Sequence, residues 1–288
     1  MGLNYSRSFS HYEDGVNANW ELTDRTTDQL TNNRNLVDTR STDSPSLGGM
    51  LSLNYKFAGS QKIGLNVLYN HDAEKTARSL TETFPAILSG VGFESRALLF
   101  KERELISYQL TGEHLLSDKG IKLEWGGGFV QTSQVEPDLR LFANSFLENT
   151  ADGTRDFFIS ASEFDLPYHF FRDLNDEQIT GKVDLSIPFL QGKSKANKIQ
   201  LGGFYQSKDR NFVEDRFQYQ VRSRDALDYA GDPDVFFGDE NLGIIGTDDR
   251  GRNVSGLFVT DETILANSYS GTEEITAAYA RALMILEN

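Results

Sequence analysis

Apolar and polar residues alternate with a period of two along much of the chain, which is the signature of strands with two unlike faces. In GGMLSLNYKF, Leu51, Leu53, Tyr55 and Phe57 fall on one face and Met50, Ser52, Asn54 and Lys56 on the other. In KIGLNVLYN, Ile63, Leu65, Val67 and Tyr69 oppose Gly64, Asn66 and Asn70, with Leu68 breaking the pattern. The residues around Ala58, Gly59 and Ser60 suit a tight turn, so the two runs predict a hairpin.

The pattern recurs. Ile106, Tyr108 and Leu110 oppose Ser107, Gln109, Thr111 and Glu113, and an SDKG turn leads into Ile121, Leu123, Trp125 and Phe129 opposite Lys122 and Glu124. A third pair sets Val183, Leu185, Ile187 and Phe189 against Lys182, Asp184 and Ser186, then turns through QGKSKAN into Ile199, Leu201 and Tyr205. A last run lies near EITAAYARA. Between the hairpins, polar and aromatic text reads as long connections: before Leu47, and over Asp72 to Arg96, Glu136 to Leu174 and Arg222 to Glu273. Connections of that length are uncommon inside a compact soluble domain but normal on one side of an outer-membrane barrel.

The octapeptide SQVEPDLR, Ser133 to Arg140, marks such a boundary. Pro137 lacks a ladder donor and ends regular pairing, so EPDLR is expected to open the loop to Leu174. Glu136, Asp138 and Arg140 then form a hydrogen-bonded rim.

Alternation alone fits a soluble sandwich as well as a membrane barrel. The opposite face decides the preference, because Lys122, Glu124, Lys182, Asp184 and Lys198 lie in mid-strand, where a water-filled lumen accommodates charge. Aromatics near strand ends, such as Tyr55, Phe57, Tyr69, Trp125, Phe189 and Tyr205, suit interfacial girdles, although ordinary strand aromatics look the same. The fold expected is all-β, an antiparallel transmembrane barrel segment of about eight strands with long extracellular loops. Two alternatives stay open: a soluble or surface β-sandwich that binds carbohydrate, and a complete small outer-membrane barrel.

Composition narrows the classes. Mean hydropathy is -0.45 with 38% hydrophobic residues, and no apolar run approaches the roughly 20 residues of a spanning helix. A formal net charge of -15 repels polyanions, which argues against nucleic acid as partner. The chain has no cysteine, hence no disulfide framework and no thiolate metal site.

Taken in order, YKFAGSQKIGLNVLYN, KERELISYQLTGEHLL, KLEWGGGFVQTSQVEPDLR, YHFFRDLNDEQITGKVDLSIPF, KIQLGGFYQSKDRNF and EEITAAYARA resemble mid-barrel strands of TonB-dependent outer-membrane receptors. The likeness is to the Bacteroidetes-like type with a carboxypeptidase-regulatory-like domain before the plug, and it covers most of the chain from Gly48. It implies a barrel of about 22 strands. It further implies a plug in the lumen, a periplasmic TonB energy-coupling protein acting on that plug, outer-membrane lipid around the wall, and a metal chelate, vitamin or glycan as cargo. No signal peptide or plug precedes Met1 and no terminal aromatic strand closes ALMILEN, so the expectation is an internal fragment of such a receptor.

No catalytic pattern stands out. His11, His71, His114 and His169 show no ligand spacing, and the Gly126 to Gly128 run lacks the helix of a phosphate loop. No cofactor motif is evident, and an enzyme is not expected. The acidic stretch with Asp232, Asp234, Asp239, Glu240, Asp248 and Asp249 lacks EF-hand spacing and reads as solvated, with Asp232, Asp234, Asp239 and Glu240 as a weak calcium candidate. Loop aromatics are the better ligand candidates: Phe157, Phe158, Tyr168, Phe170 and Phe171 in one connection, Tyr229, Phe236 and Phe237 in another. The alternative is that they pack the loops on one another.

Overall fold

The computed structural model describes residues 1–24, 26–83, 91–149, 151–159, 167–189, 197–222, 227 and 229–284. Seven long strands run up and down in sequence: β1 (Gly2–Asp24), β2 (Gln29–Phe57), β3 (Gln61–Thr83), β4 (Val91–Leu115), β5 (Lys122–Glu148), β7 (Tyr168–Pro188) and β8 (Lys198–Val221). An eighth line returns beside β8 in two pieces, β11 (Leu257–Asp261) at one end and β12 (Tyr269–Leu283) at the other. The short β6 (Arg155–Phe158) adds to β5, completing one ten-stranded antiparallel sheet. A small hairpin of β9 (Ile244–Thr247) and β10 (Asn253–Ser255) stands apart from it.

The hairpin registers follow the alternation. Leu51 faces Val67, Leu53 faces Leu65 and Tyr55 faces Ile63, and the turn between them places Ala58 (φ 45°) and Gly59 (φ 70°) in the left-handed region. Gly120 (φ 87°) closes the SDKG turn, its N–H donating to Ser117 O at 2.9 Å. The third turn, QGKSKAN, lies outside the described residues except for Asn197.

Strand lengths differ from expectation. The segment before Leu47, read as a connection, forms a hairpin in which β1 pairs with β2 from Gly2 opposite Met50 to Asp24 opposite Gln29. Likewise β3 runs on to Thr83, β4 starts at Val91, and β5 passes through Pro137 to Glu148. The reason is cross-strand charge pairing: positions such as Asp38, Arg78, Glu136 and Arg172 find partners across the sheet, so ladders persist where both faces have lost their apolar pattern. Connections therefore do not simply alternate short and long, since β1 and β2 are joined by a short turn at the upper end.

SQVEPDLR does not end its strand. Glu136 still faces Arg172, the register then slips, and pairing resumes with Leu139 facing Phe170. Pro137 and Asp138 occupy that bulge, a device that re-aims side chains without ending a sheet.

Five buried apolar side chains, Phe142, Leu227, Tyr229, Phe236 and Leu257, form a cluster, while Leu36, Phe93, Phe146 and Tyr168 are buried outside it. The cluster lies at the upper end, where the β8–β11 connection, carrying the short helix α1 (Pro233–Phe236), folds against β5 and β8. Most of the sheet has no such cover.

Candidate functional site

The two faces of the sheet differ along their whole lower half. One carries Leu51, Leu53 and Tyr55 of β2, Ile63, Leu65 and Val67 of β3, Tyr108 and Leu110 of β4, Trp125 and Phe129 of β5, Ile179, Val183 and Leu185 of β7, and Leu201 of β8, aligned by direct pairing. None of these side chains is buried: Leu53 is 54% exposed, Tyr55 69% and Ile179 56%, while Leu51, Ile63, Leu65, Val67, Trp125, Phe129 and Leu185 are half-buried by their neighbours. A contiguous apolar surface of this extent marks contact with another protein or with lipid.

The opposite face is mainly polar, interrupted by Met50 facing Leu68 and by Phe204. Ser52 donates to Asn66 at 2.7 Å and Asn66 to Gln109 at 3.2 Å, a hydrogen-bonded line across three strands. Above it runs a rung of alternating charge. Lys101 lies 3.7 Å from Glu74, while Arg172 donates to Glu136 at 3.3 Å and to Glu214 at 2.6 Å. Asn267, from the corner between β11 and β12, donates to the other Glu214 oxygen at 2.6 Å. Burial pushes the Glu214 carboxyl up, but the Asn267 and Arg172 donors more than offset it and hold it below the usual range. Nearer β1, Arg78 grips the buried Asp38 carboxylate at 2.9 and 2.7 Å, and Tyr12 donates to it at 2.9 Å. The Arg78 hydrogen bonds keep Asp38 below the ordinary carboxylate range. Such a face can hold water and polar solutes while locking strand register.

The aromatic candidates converge at the upper end, chiefly as packing. Phe236 is fully buried, with ring centroids 5.1 Å from Phe142 and 5.2 Å from both Tyr229 and Phe237. Tyr229 is buried too, and burial pushes its hydroxyl up. Phe157, on β6 beside Phe158, packs at 5.7 Å on Phe146. Tyr168 is buried beneath Arg216 at 4.0 Å and near Phe170 at 5.7 Å. Of the eight, Phe171 alone stays exposed. Tyr229, Phe236 and Phe237 thus pack their connection on the sheet, whereas Phe157 and Phe158 lie on β6 and Tyr168, Phe170 and Phe171 on β7, within strands rather than loops.

The acidic candidates resolve into local structure. Asp232 caps α1, accepting from the Asp234 N–H at 2.9 Å, and Asp239 and Glu240 sit in the single turn that follows. Asp248 accepts from the Arg250 and Arg252 N–H groups at 2.9 Å and from Arg252 Nε at 2.8 Å, which closes the β9–β10 turn. Among the described residues no group of three or more His, Asp or Glu is arranged to hold a metal ion.

The bulge at Pro137 and Asp138 has a partner on β4, where pairing with β5 slips between Leu98 and Glu102. Between the two irregularities, on the same side as the apolar surface, opens a groove of about 580 Å³ with Phe9, Ala77, Leu98, Phe100 and Pro137 on its walls. Asp138 lines it too, and turns its other side to His169, whose Nδ1 lies 3.0 Å away. Arg140 donates to Asp138 at 2.6 Å, a hydrogen bond that lies within a strand and not at the strand end where a rim was expected. His169 is buried with its ring between Tyr219 (4.8 Å) and Phe237 (4.6 Å). Sequence reading set His169 aside for want of ligand spacing and passed over Arg172 and Glu214. Only the charge alternation across strands, invisible before the register is known, could have flagged the last two.

No family model, curated protein or solved structure matches the chain.

Proposed function

We propose that this chain forms part of the wall and outer connections of an outer-membrane β-barrel, a nutrient receptor of the TonB-dependent kind. Lipid meets the apolar face and the lumen meets the polar face. The cap at the upper end lies outside the cell, and the short turns face the periplasm. The carried solute is a metal chelate, vitamin or glycan, admitted when a periplasmic coupling protein acts on a plug in the lumen.

One observation carries this reading: an uncovered apolar stripe runs for eleven residues on β2, Leu47 to Phe57, and is matched on β7 from Ile179 to Ile187. At about 3.4 Å per residue and a tilt near 45° such a stripe rises about 25 Å, the height of the apolar band of an outer-membrane barrel. A soluble β-sandwich would need a second large sheet over this face. Besides the main sheet, the described residues hold only the two-stranded β9–β10 hairpin.

Fractionation tests the proposal. Expressed with an export signal together with the rest of its barrel, the chain should sediment with outer membranes and enter the detergent phase on extraction, since a part-barrel alone leaves open edges. Leu53→Arg and Val183→Arg should block that assembly, at about 2–4 kcal/mol each for a lipid-facing cation, while Gln109→Arg on the other face should not. A monomer recovered from the aqueous phase without detergent would overturn it in favour of a sandwich.

A further inference from the structure

On one rung of the polar face, close to the short turns, Lys56 lies directly opposite Lys62, Lys62 opposite Glu113, Glu113 opposite Glu124, and Glu124 opposite Asp184. Three pairs of like charge thus stand side by side, one basic and two acidic that share Glu124, an arrangement that repels across antiparallel strands. The chain resolves the acidic run itself. Lys122 reaches between the two carboxylates, with Nζ 3.0 Å from Glu113 and 3.1 Å from Glu124, and Asp184 accepts from the Tyr279 hydroxyl at 2.8 Å.

The lysine pair has no equivalent. Among the described residues no carboxylate lies within 4.0 Å of either ammonium group, because Glu113, directly across from Lys62, is held by Lys122. Beside the pair opens a groove of about 550 Å³ lined by Lys56, Lys62, Lys122, Asn54 and Ser60, with Glu113 the one carboxylate on its wall; Glu113 feels both lysines, but its closest cation is Lys122. The wider surroundings add to the effect: Lys182, Lys198 and Arg281 occupy the same face at this end, so cations outnumber carboxylates locally in a chain of net charge -15. A field of this sign, focused in a groove, draws anions.

We propose that Lys56 and Lys62 form a subsite for one multi-oxygen anionic group, a phosphate or a carboxylate, seated between the two ammonium groups as Lys122 is seated between Glu113 and Glu124. Each ammonium offers three donors, and the Asn54 amide and Ser60 hydroxyl stand on the groove wall to bind further oxygens. The ligand is a solute or segment bearing such a group that reaches the polar face at its short-turn end. The subsite does not depend on what covers the apolar face.

Calorimetric titration of the purified full chain tests this, using inorganic phosphate and glutarate separately at constant ionic strength set with sodium chloride. Saturable binding of at least one anion is expected. Lys56→Gln and Lys62→Gln should each weaken it about tenfold, the loss of one charge-assisted hydrogen bond. Lys119→Gln, in the exposed turn at the same end, should leave it unchanged, with circular dichroism confirming that each variant keeps its strand content. Tighter phosphate binding assigns a phosphorylated ligand, and tighter glutarate binding a carboxylate-bearing one. The proposal is overturned if neither anion saturates, or if Lys119→Gln costs as much as the pair variants, which would mean diffuse attraction.

Discussion

Arg172 on β7 donates through Nε to Glu214 on β8 at 2.6 Å, and this contact binds the polar face to the corner between β11 and β12. The same guanidinium reaches Glu136 on β5, and both carboxylates are buried. Arg172→Met should therefore strand two buried charges and destabilise the sheet by about 3 kcal/mol, the lower end of what breaking a buried ion pair costs. The effect has a pH signature. Glu214 sits below its unfolded value of about 4.3, so in the parent its pairing stabilises above that pH and the contribution fades as pH falls through the folded value. Without Arg172, burial dominates and raises the carboxyl, and the penalty is greatest at neutral pH and shrinks on acidification. Urea unfolding followed by circular dichroism should show the two stability curves converging between about pH 7 and pH 4. A gap that stays constant across that range would mean the loss is one of packing alone.

Phe236 is fully buried among Phe142, Tyr229 and Phe237, so its role is to seat the cap. Truncating such a ring costs about 3–5 kcal/mol. For Phe236→Ala the loss should fall on the cap and spare the ladders below, because the sheet's lower half makes no use of this cluster. Limited proteolysis should cut Phe236→Ala between β8 and β11 well before the parent chain, while the hairpin fragments stay intact. Uniform cleavage throughout would show that cap and sheet unfold together.

Gly112 lies directly opposite Trp125, and a Cβ at Gly112 would overlap the indole ring. The indole is held in place by donating to His114 Nε2 at 3.0 Å, and His114 Nδ1 lies 2.6 Å from Gln61 Oε1. Gly112→Val should displace the ring, break the hydrogen bond to His114 and cost about 1–3 kcal/mol as overpacking. In a Trp20→Phe background, which leaves Trp125 as the sole indole, the emission maximum should shift on Gly112→Val. An unchanged spectrum and stability would show that the ring has room elsewhere.

How much of this was legible in the sequence depends on which face a residue serves. Where one face is apolar, as in Leu51 to Phe57 and Ile63 to Tyr69, period-two alternation located the strands and their turn. Where both faces are mixed, as from Asp72 to Thr83 or along β1, the same strand continues with no alternation to announce it. Its partners are charges such as Arg7 and Asp43, 2.7 Å apart but far apart in sequence. Pro137 misled for a related reason: a missing donor ends a ladder in an isolated strand, but between β4 and β7 the sheet absorbs it in a bulge. The loop aromatics were found by composition. Their role was not, because whether Phe236 meets solvent or Phe142 is fixed by how the connection folds back.

His169 should make the cap sensitive to acid. Its ring lies between Tyr219 of β8 and Phe237 of the cap, and Asp138 and Arg140 of β5 are the charged groups that face it. Burial pushes the imidazole pKa down, the Asp138 carboxylate opposes that, and Arg140 adds to it, with the balance below the ordinary value. A histidine whose folded value lies below its unfolded one, about 6.5, favours the docked state fully above the unfolded value. As pH falls past 6.5 the undocked form takes up the proton first, and docking weakens until the folded value is passed. Limited proteolysis of the β8–β11 connection should therefore quicken in the parent between about pH 7.5 and pH 5. His169→Phe keeps a ring against Tyr219 and Phe237 but cannot titrate, so its cleavage rate, corrected for the protease's own pH dependence, should stay level over that interval. If His169→Phe loosens as steeply as the parent, the acid sensitivity belongs to carboxylates such as Asp38 and Glu214, and its midpoint should then lie near pH 4, not near 6.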